Sequence, residues 1–314
     1  MKAAVIYEYG GPEVFRVEEI PEPVLQDHEV LVKVFAASVN PVDWKQRKGN
    51  HKLFLKARFP VVPGYDVSGV IEKCGSAAGR FKAGDEVFCR LDHRFGGAFA
   101  EYASTSESTV ALKPKNIDHL HAAGIPLAGQ TALQALRDKV NIRRGMKVMI
   151  IGAAGGVGHF ALQLAKHYGA ETTAVCSSNH PELLHKLQPD HRIDYRETDY
   201  LFAAERYDII FDAAGAHDFL KCRRILTNGG IYITSLPRLK ILIHKLVSLF
   251  TRGKRVRTLF QRSRGSDLGI LTRLIEEEKL QVIIDSVHTL ENISEAHRRA
   301  EEYSTEGKII IKIR

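Results

Sequence analysis

The chemistry that is easiest to read in this chain of 314 residues lies in seven of them: Gly152, Ala153, Ala154, Gly155, Gly156, Val157 and Gly158. Their types suit anion binding by backbone. Glycine at 155 or 156 lets the main chain come close to a pyrophosphate. Glycine at 158 has no Cβ, so a following helix can pack close to a sheet, and the free N–H groups of its first turn, with Val157 and Gly158 at its start, face the anion. Ala153 stands where the first glycine of a G-x-G-x-x-G pattern falls. The flanking elements fit the same purpose. Val148 to Ile151 are apolar without alternation, as in a strand buried on both faces. Phe160, Leu164, His167 and Tyr168 then recur at helical steps before Gly169 ends the pattern. Strand, glycine turn and helix together are the context a dinucleotide-binding turn needs.

The end of the next strand bears on which dinucleotide is bound. After Thr173-Ala174-Val175 come Cys176, Ser177, Ser178, Asn179 and His180, with no acid among them. A carboxylate there would hold the ribose 2′-hydroxyl of NAD and repel a 2′-phosphate. The hydroxyls of Ser177 and Ser178 admit the phosphate, so NADPH is the expected cofactor.

These residues need a scaffold, and the chain changes texture to provide one. Residues 1–120 carry short β-type runs (Ala3 to Tyr7, Phe15 to Val17, Val30 to Val34, Val67 to Ile71) punctuated by glycine and proline. Beyond Leu120, HAAGIPLAGQTALQALRDKV is helical in composition, and strands and helices then alternate. Helix 181–187, strands 192–195, 208–212 and 230–234, helix 268–278, strand 282–286, helix 294–303 and strand 309–313 are expected. That rhythm predicts an α/β protein with a doubly wound parallel sheet beside a β-rich domain.

Composition excludes several classes. The charged and apolar fractions are those of an ordinary globular enzyme. There is no apolar run long enough to span a bilayer. The N-terminus has no signal-peptide pattern, and Cys74, Cys89, Cys176 and Cys222 are scattered without a C-x-x-C pair. A reducing compartment, the cytoplasm, is therefore expected. The net charge of +8 has a local source: nine Lys and Arg residues and no acid lie between Pro237 and Arg264. Within that segment Leu239, Leu242, Ile243, Leu246, Val247 and Phe250 recur at helical spacing. Packing as a lid and weak contact with an anionic membrane surface through 238–264 both stay open. Specific nucleic-acid binding is not expected, because no aromatics are interleaved.

In order along the chain stand AASVNPVDWKQRKG, FPVVPGYDVSGVIEKCG, FKAGDEV, GGAFAEYA, AGIPLAGQTALQAL, IGAAGGVGHFALQLAKHYGA, DYRE, YDIIFDAAG and EGKIII. With these motifs the chain resembles the zinc-independent quinone oxidoreductase branch of the medium-chain dehydrogenase/reductase superfamily, including the alkenal and enone reductases. The resemblance implies a GroES-like catalytic domain over 1–120, a Rossmann domain over 121–267 and a segment 268–314 that completes the catalytic domain. A nicotinamide cofactor would lie in the cleft between the domains. The implied activity is NADPH-dependent reduction of quinones or α,β-unsaturated carbonyls by a homodimer or monomer. On the cofactor side the implied residues are Thr131, Tyr195, Ala214 and Gly215, beside the glycine turn.

Asn40 and Asp43 match residues that line the family's cleft, although Asp43 equally suits an interaction within its own domain. Lys45 falls where some quinone reductases have a tyrosine. Asn40 and Tyr65-Asp66 stand where zinc-dependent relatives place a cysteine and a His-Glu pair, so no metal site is expected. Tyr65 could then donate a hydrogen bond to a substrate carbonyl, or be satisfied by backbone. Two rivals stay open from the sequence: a zinc-type alcohol dehydrogenase, and a catalytically inactive cofactor-binding or membrane-associated regulator.

Overall fold

A computed structural model describes every residue except 51, 53–55, 178–180, 203, 236–252 and 303–304. Ser178 and the helical pattern over 239–250 therefore lie outside the described residues. The chain forms two compact units, one of residues 1–130, 263–278 and 282–314, the other of residues 131–262 and 279–281. The sequence reading sets the divisions at 120/121 and 267/268. Among the described residues no helix is long and apolar enough to cross a membrane.

In chain order the first unit begins with β1 (Lys2–Ile6), β2 (Phe15–Glu19), β3 (Glu29–Val39), α1 (Pro41–Arg47), β4 (Asp66–Cys74), β5 (Glu86–Arg90), β6 (Tyr102–Ser106) and β7 (Val110–Leu112). Helices α2 (His119–Ala123) and α3 (Pro126–Gln134) follow. The second unit contains β8 (Lys147–Ile151), α4 (Gly158–His167), β9 (Glu171–Cys176), α5 (Pro181–Leu187), β10 (His191–Asp194), β11 (Tyr207–Asp212), α6 (Phe219–Cys222), β12 (Leu226–Thr234) and β13 (Arg255–Thr258). The chain ends with α7 (Gly265–Glu276), β14 (Ile284–Thr289), α8 (Ile293–Glu301) and β15 (Lys308–Lys312).

In the first unit β3 is the spine. It pairs antiparallel with β4, β6 and β15, and the sheet runs β14-β15-β3-β4-β5-β7. Val30, Val32 and Val34, spaced by two, enter one core with Val67, Phe99 and Ile311. The second unit is a six-stranded parallel sheet of order β10-β9-β8-β11-β12-β13. Counted from β8 this is 3-2-1-4-5-6, the doubly wound arrangement whose order reverses between β8 and β11. Val148, Met149 and Ile150 are fully buried, as a strand covered on both faces must be.

Two regions depart from the expected elements. The helical stretch after Leu120 is broken, because Pro126 has no N–H with which to continue α2 and instead opens α3, which ends in a π-helical turn at Ala135–Lys139. The described end of the basic segment forms strand β13 at the sheet edge. Its Arg-Val-Arg-Thr alternation, with Val256 buried between exposed arginines, is a period-two signal that the sequence reading did not use.

Candidate active site

All the described cofactor-side candidates except Thr131 lie along the carboxyl ends of β8 to β11. The turn after β8 is made at Gly152, whose φ is +78° and whose N–H bonds the Val175 carbonyl at 2.9 Å. That φ is one L-residues rarely adopt, so Gly152, one residue before Ala153, supplies the turn. A Cβ on Gly158 would lie 2.0 Å from the Gly152 carbonyl oxygen and 2.8 Å from Ala153 Cα. Close packing of α4 on the turn therefore demands glycine at 158. Gly155 differs, since among the described residues the one atom within 4 Å of an added Cβ is the Gly152 oxygen at 3.4 Å, an ordinary contact. Packing inside the protein does not require glycine there, and the open space suits a group that approaches the backbone. Gly156 and Val157 lead from this turn into α4, which has no side-chain cap and whose His159 N–H donates to the Gly155 carbonyl at 3.1 Å.

Ile151 pairs with Val175, and Cys176 with Asp194, so Ser177 and Tyr195 leave neighbouring strands side by side. Ser177 is buried and Tyr195 is exposed, with the Arg196 guanidinium carbon 5.9 Å from its ring centroid. On the other side of the reversal point, Ala213 N–H donates to the Ile151 carbonyl at 3.1 Å, and Ala214 lies against Gly152. Asp212 ties down the loop that carries Ala214 and Gly215. Its buried carboxylate accepts from Ala216 N–H at 3.1 Å, His217 N–H at 2.9 Å and the Tyr232 hydroxyl at 3.0 Å. These residues fit a dinucleotide: among the described residues nothing crowds the Cβ position of Gly155, a helix N-terminus faces the same edge, and the sequence has no carboxylate at 177–180. Thr131 is buried in α3.

In the first unit, Asn40, Asp43, Asp66 and Lys308 form a buried polar cluster. Asn40 caps α1 in an extended conformation, Pro41 takes the first helical position, and Asp43 Oδ2 accepts the Asn40 N–H at 2.6 Å. The Asn40 amide donates to Asp66 Oδ2 at 3.0 Å, and its oxygen accepts from Lys308 Nζ. Asp66 also accepts from Ser38 Oγ at 3.2 Å and from Leu127 N–H at 3.0 Å. Lys308 Nζ lies 3.8 Å from Asp66 Oδ2.

Burial pushes the Asp43 carboxyl up to about 8, against a weaker pull from the Asn40 N–H, and Asp43 Oδ1 has no hydrogen-bond partner among the described residues. Burial also raises the Asp66 carboxyl and lowers the Lys308 ammonium, with each opposing the other's shift.

Beside this cluster Tyr65 is buried. Its hydroxyl donates to the Arg94 carbonyl at 2.7 Å and accepts from Gln46 Nε2 at 2.8 Å, while the Arg90 guanidinium carbon sits 4.6 Å from the ring centroid. Burial raises its hydroxyl above the usual tyrosine range. Lys45 lies on α1 with its ammonium 5.2 Å from the Trp44 ring centroid, and partial burial lowers it. His93 is 3.2 Å from both Glu29 Oε1 and Ser104 Oγ. Among the described residues no group of three His, Cys, Asp or Glu could hold a metal ion.

Gln46, Arg90 and Lys308 were not singled out from sequence. Lys308 had a signal available, a lone cation entering the apolar strand of EGKIII, where only a buried partner would keep it.

Two family models match, an alcohol dehydrogenase GroES-like domain over residues 26–115 and a zinc-binding dehydrogenase over residues 187–311. The chain is 32% identical over 313 residues to a chloroplast envelope quinone oxidoreductase homolog of Arabidopsis thaliana, covering 96% of this chain and 95% of that protein. It is 41% identical over 239 residues to an NADPH-dependent alkenal/one oxidoreductase of the same plant, covering 73% of this chain and 61% of that protein. The solved quinone oxidoreductase of Coxiella burnetii superposes with a TM-score of 0.92 at 31% identity, covering 100% of this chain and 99% of that one. On its two units, its nucleotide-type sheet edge and this similarity over nearly its full length, the chain belongs to the quinone and alkenal/one oxidoreductase branch of the medium-chain dehydrogenase/reductase superfamily.

Proposed function

We propose that the protein is an NADPH-dependent reductase of quinones or α,β-unsaturated carbonyls. One observation carries this reading: the glycine turn, Ser177, Tyr195 and the Ala214–Gly215 loop share the carboxyl edge of one doubly wound sheet, with no acid at 177–180. When bound, the nicotinamide cofactor supplies hydride. In this reading Gly155, Gly156, Val157 and Gly158 hold the pyrophosphate, Ser177, Ser178 and Tyr195 accept the 2′-phosphate side, and Thr131, Ala214 and Gly215 hold the nicotinamide end. Asn40 and Tyr65 order the buried polar groups of the catalytic unit through the hydrogen bonds they already make. Lys45, which has no carboxylate or carbonyl partner among the described residues, is the proposed donor to the acceptor oxygen. The catalytic gain would come from orientation and electrostatics, because the cofactor carries the difficult chemistry.

A reducing compartment such as the cytoplasm is the proposed setting, supported by four free thiols. Fluorescence titration tests the cofactor assignment. NADPH should bind tighter than NADH by about tenfold or more, roughly 1.4 kcal/mol, and Tyr195→Phe should narrow that gap. Equal dissociation constants for the two cofactors would defeat it.

A further inference from the structure

At the edge of the parallel sheet opposite the glycine turn lies a cavity of about 350 Å³, built from the amino ends of β11, β12 and β13 and the segment before β8. Its volume is within the usual range for small-molecule pockets. Its polar lining is dominated by four cations, Lys139, Arg143, Arg255 and Arg257, joined by Asn141 and Asn228.

The fold assembles these groups deliberately. Tyr207 pairs with Leu226 and Ile209 with Ile231, so Thr227 to Gly230 bulge out opposite the single residue Asp208, with Gly229 at a φ of +82°. The bulge forms one wall. Strand β13 forms another, its two-residue period setting Arg255 and Arg257 on one face while Val256 is buried. The π-helical turn ending at Lys139, followed by Asn141 at a φ of +52°, supplies the third.

Four cations against one carboxylate leave this cavity with a surplus of positive charge. Its one carboxylate, Asp208, accepts from Lys147 N–H and the Thr227 hydroxyl, both at 2.9 Å. Among the described residues none of the four cations has an ion-pair partner, and every Asp and Glu of the chain is described. The surplus positive charge around this concave surface favours entry of an anion. Three planar guanidinium forks and an ammonium match the several acceptor oxygens of a phosphoryl group better than a single carboxylate.

We infer that this cavity binds a multiply charged phosphoryl group, such as a diphosphate, carried by a small phosphate ester or by a lipid headgroup. It lies about one strand length, roughly 17–20 Å, from the nucleotide edge and is independent of it.

The test titrates inorganic pyrophosphate calorimetrically into the full chain with and without saturating NADPH. A parallel flotation uses phosphatidylcholine vesicles with and without phosphatidic acid. Saturable pyrophosphate binding that survives NADPH and weakens about tenfold or more in Arg255→Gln/Arg257→Gln supports a small-molecule source. Phosphatidic acid-dependent flotation lost in the same variant, without pyrophosphate binding, supports a lipid source. Lys139→Gln/Arg143→Gln repeats each arm should the first variant fold poorly. Binding that NADPH displaces, binding unchanged in both variants, or no binding to either probe would overturn the inference.

Discussion

The two glycines of the nucleotide turn should respond oppositely to substitution. In Gly158→Ala the new Cβ would sit 2.0 Å from the Gly152 carbonyl oxygen and 2.8 Å from Ala153 Cα, both backbone atoms that cannot rotate away. Relief requires α4 to retreat from the turn by roughly 1 Å, and overpacking of this kind costs about 1–3 kcal/mol. A 2.0 Å approach to backbone places this site at the upper end of that range, and alanine recovers at most about 1 kcal/mol of helix propensity, so a net loss of about 2 kcal/mol is expected. For a unit of this size that corresponds to a fall in melting temperature of about 4–8 °C.

Among the described residues Gly155→Val meets one ordinary 3.4 Å contact at its Cβ, so its melting temperature should stay within the change that about 0.5 kcal/mol produces. Its NADPH affinity should fall about 100-fold or more, because the branched side chain fills the space a pyrophosphate needs. Scanning calorimetry and fluorescence titration on both variants read the two effects separately. A Gly158→Ala protein that melts with the wild type, or a Gly155→Val protein that binds NADPH normally, would refute the reasoning.

Two further outcomes follow from the buried carboxylates. Asp43 holds its proton up to about 8 in the fold against an ordinary 3.8, so between those values the folded state binds more protons than the unfolded state. Stability should therefore fall as pH rises through that window, by no more than about 1.4 kcal/mol per pH unit. Asp43→Asn, which keeps an acceptor for the Asn40 N–H, should flatten this slope in denaturant titrations from pH 5 to 8. Asp212→Ala would strand the Ala216 and His217 N–H groups, while the Tyr232 hydroxyl keeps the His217 carbonyl at 2.9 Å, costing about 2 kcal/mol in denaturant unfolding and loosening the Gly215 loop enough to weaken NADPH binding.

What the sequence discloses is what neighbouring residues decide among themselves. The unbroken apolar run of β8, the glycines after it and the periodicity of α4 are all local, and the sheet they imply is the one observed. The side-by-side exit of Ser177 and Tyr195 follows from parallel pairing of consecutive strands and was within reach. The polar cluster was not. Lys308 reaches Asn40 across 268 residues only because β15 joins the sheet beside β3, which no local pattern announces. Likewise, the family resemblance singles out Asn40 and Asp43, while the helix cap that binds them depends on where α1 begins. The break at Pro126 and the bulge at Thr227–Gly230 were written in proline and paired glycines, but helical composition and strand propensity masked them.

The central claim is that this chain moves hydride from NADPH to an activated acceptor. Acceptor-dependent loss of nicotinamide absorbance, followed over a small set of quinones and α,β-unsaturated carbonyls with the full chain, measures it most directly. The account predicts multiple-turnover oxidation of NADPH with at least one acceptor class, slower with NADH at equal concentration, and abolished in Gly155→Val. Binding of NADPH with no oxidation across the whole set would contradict it.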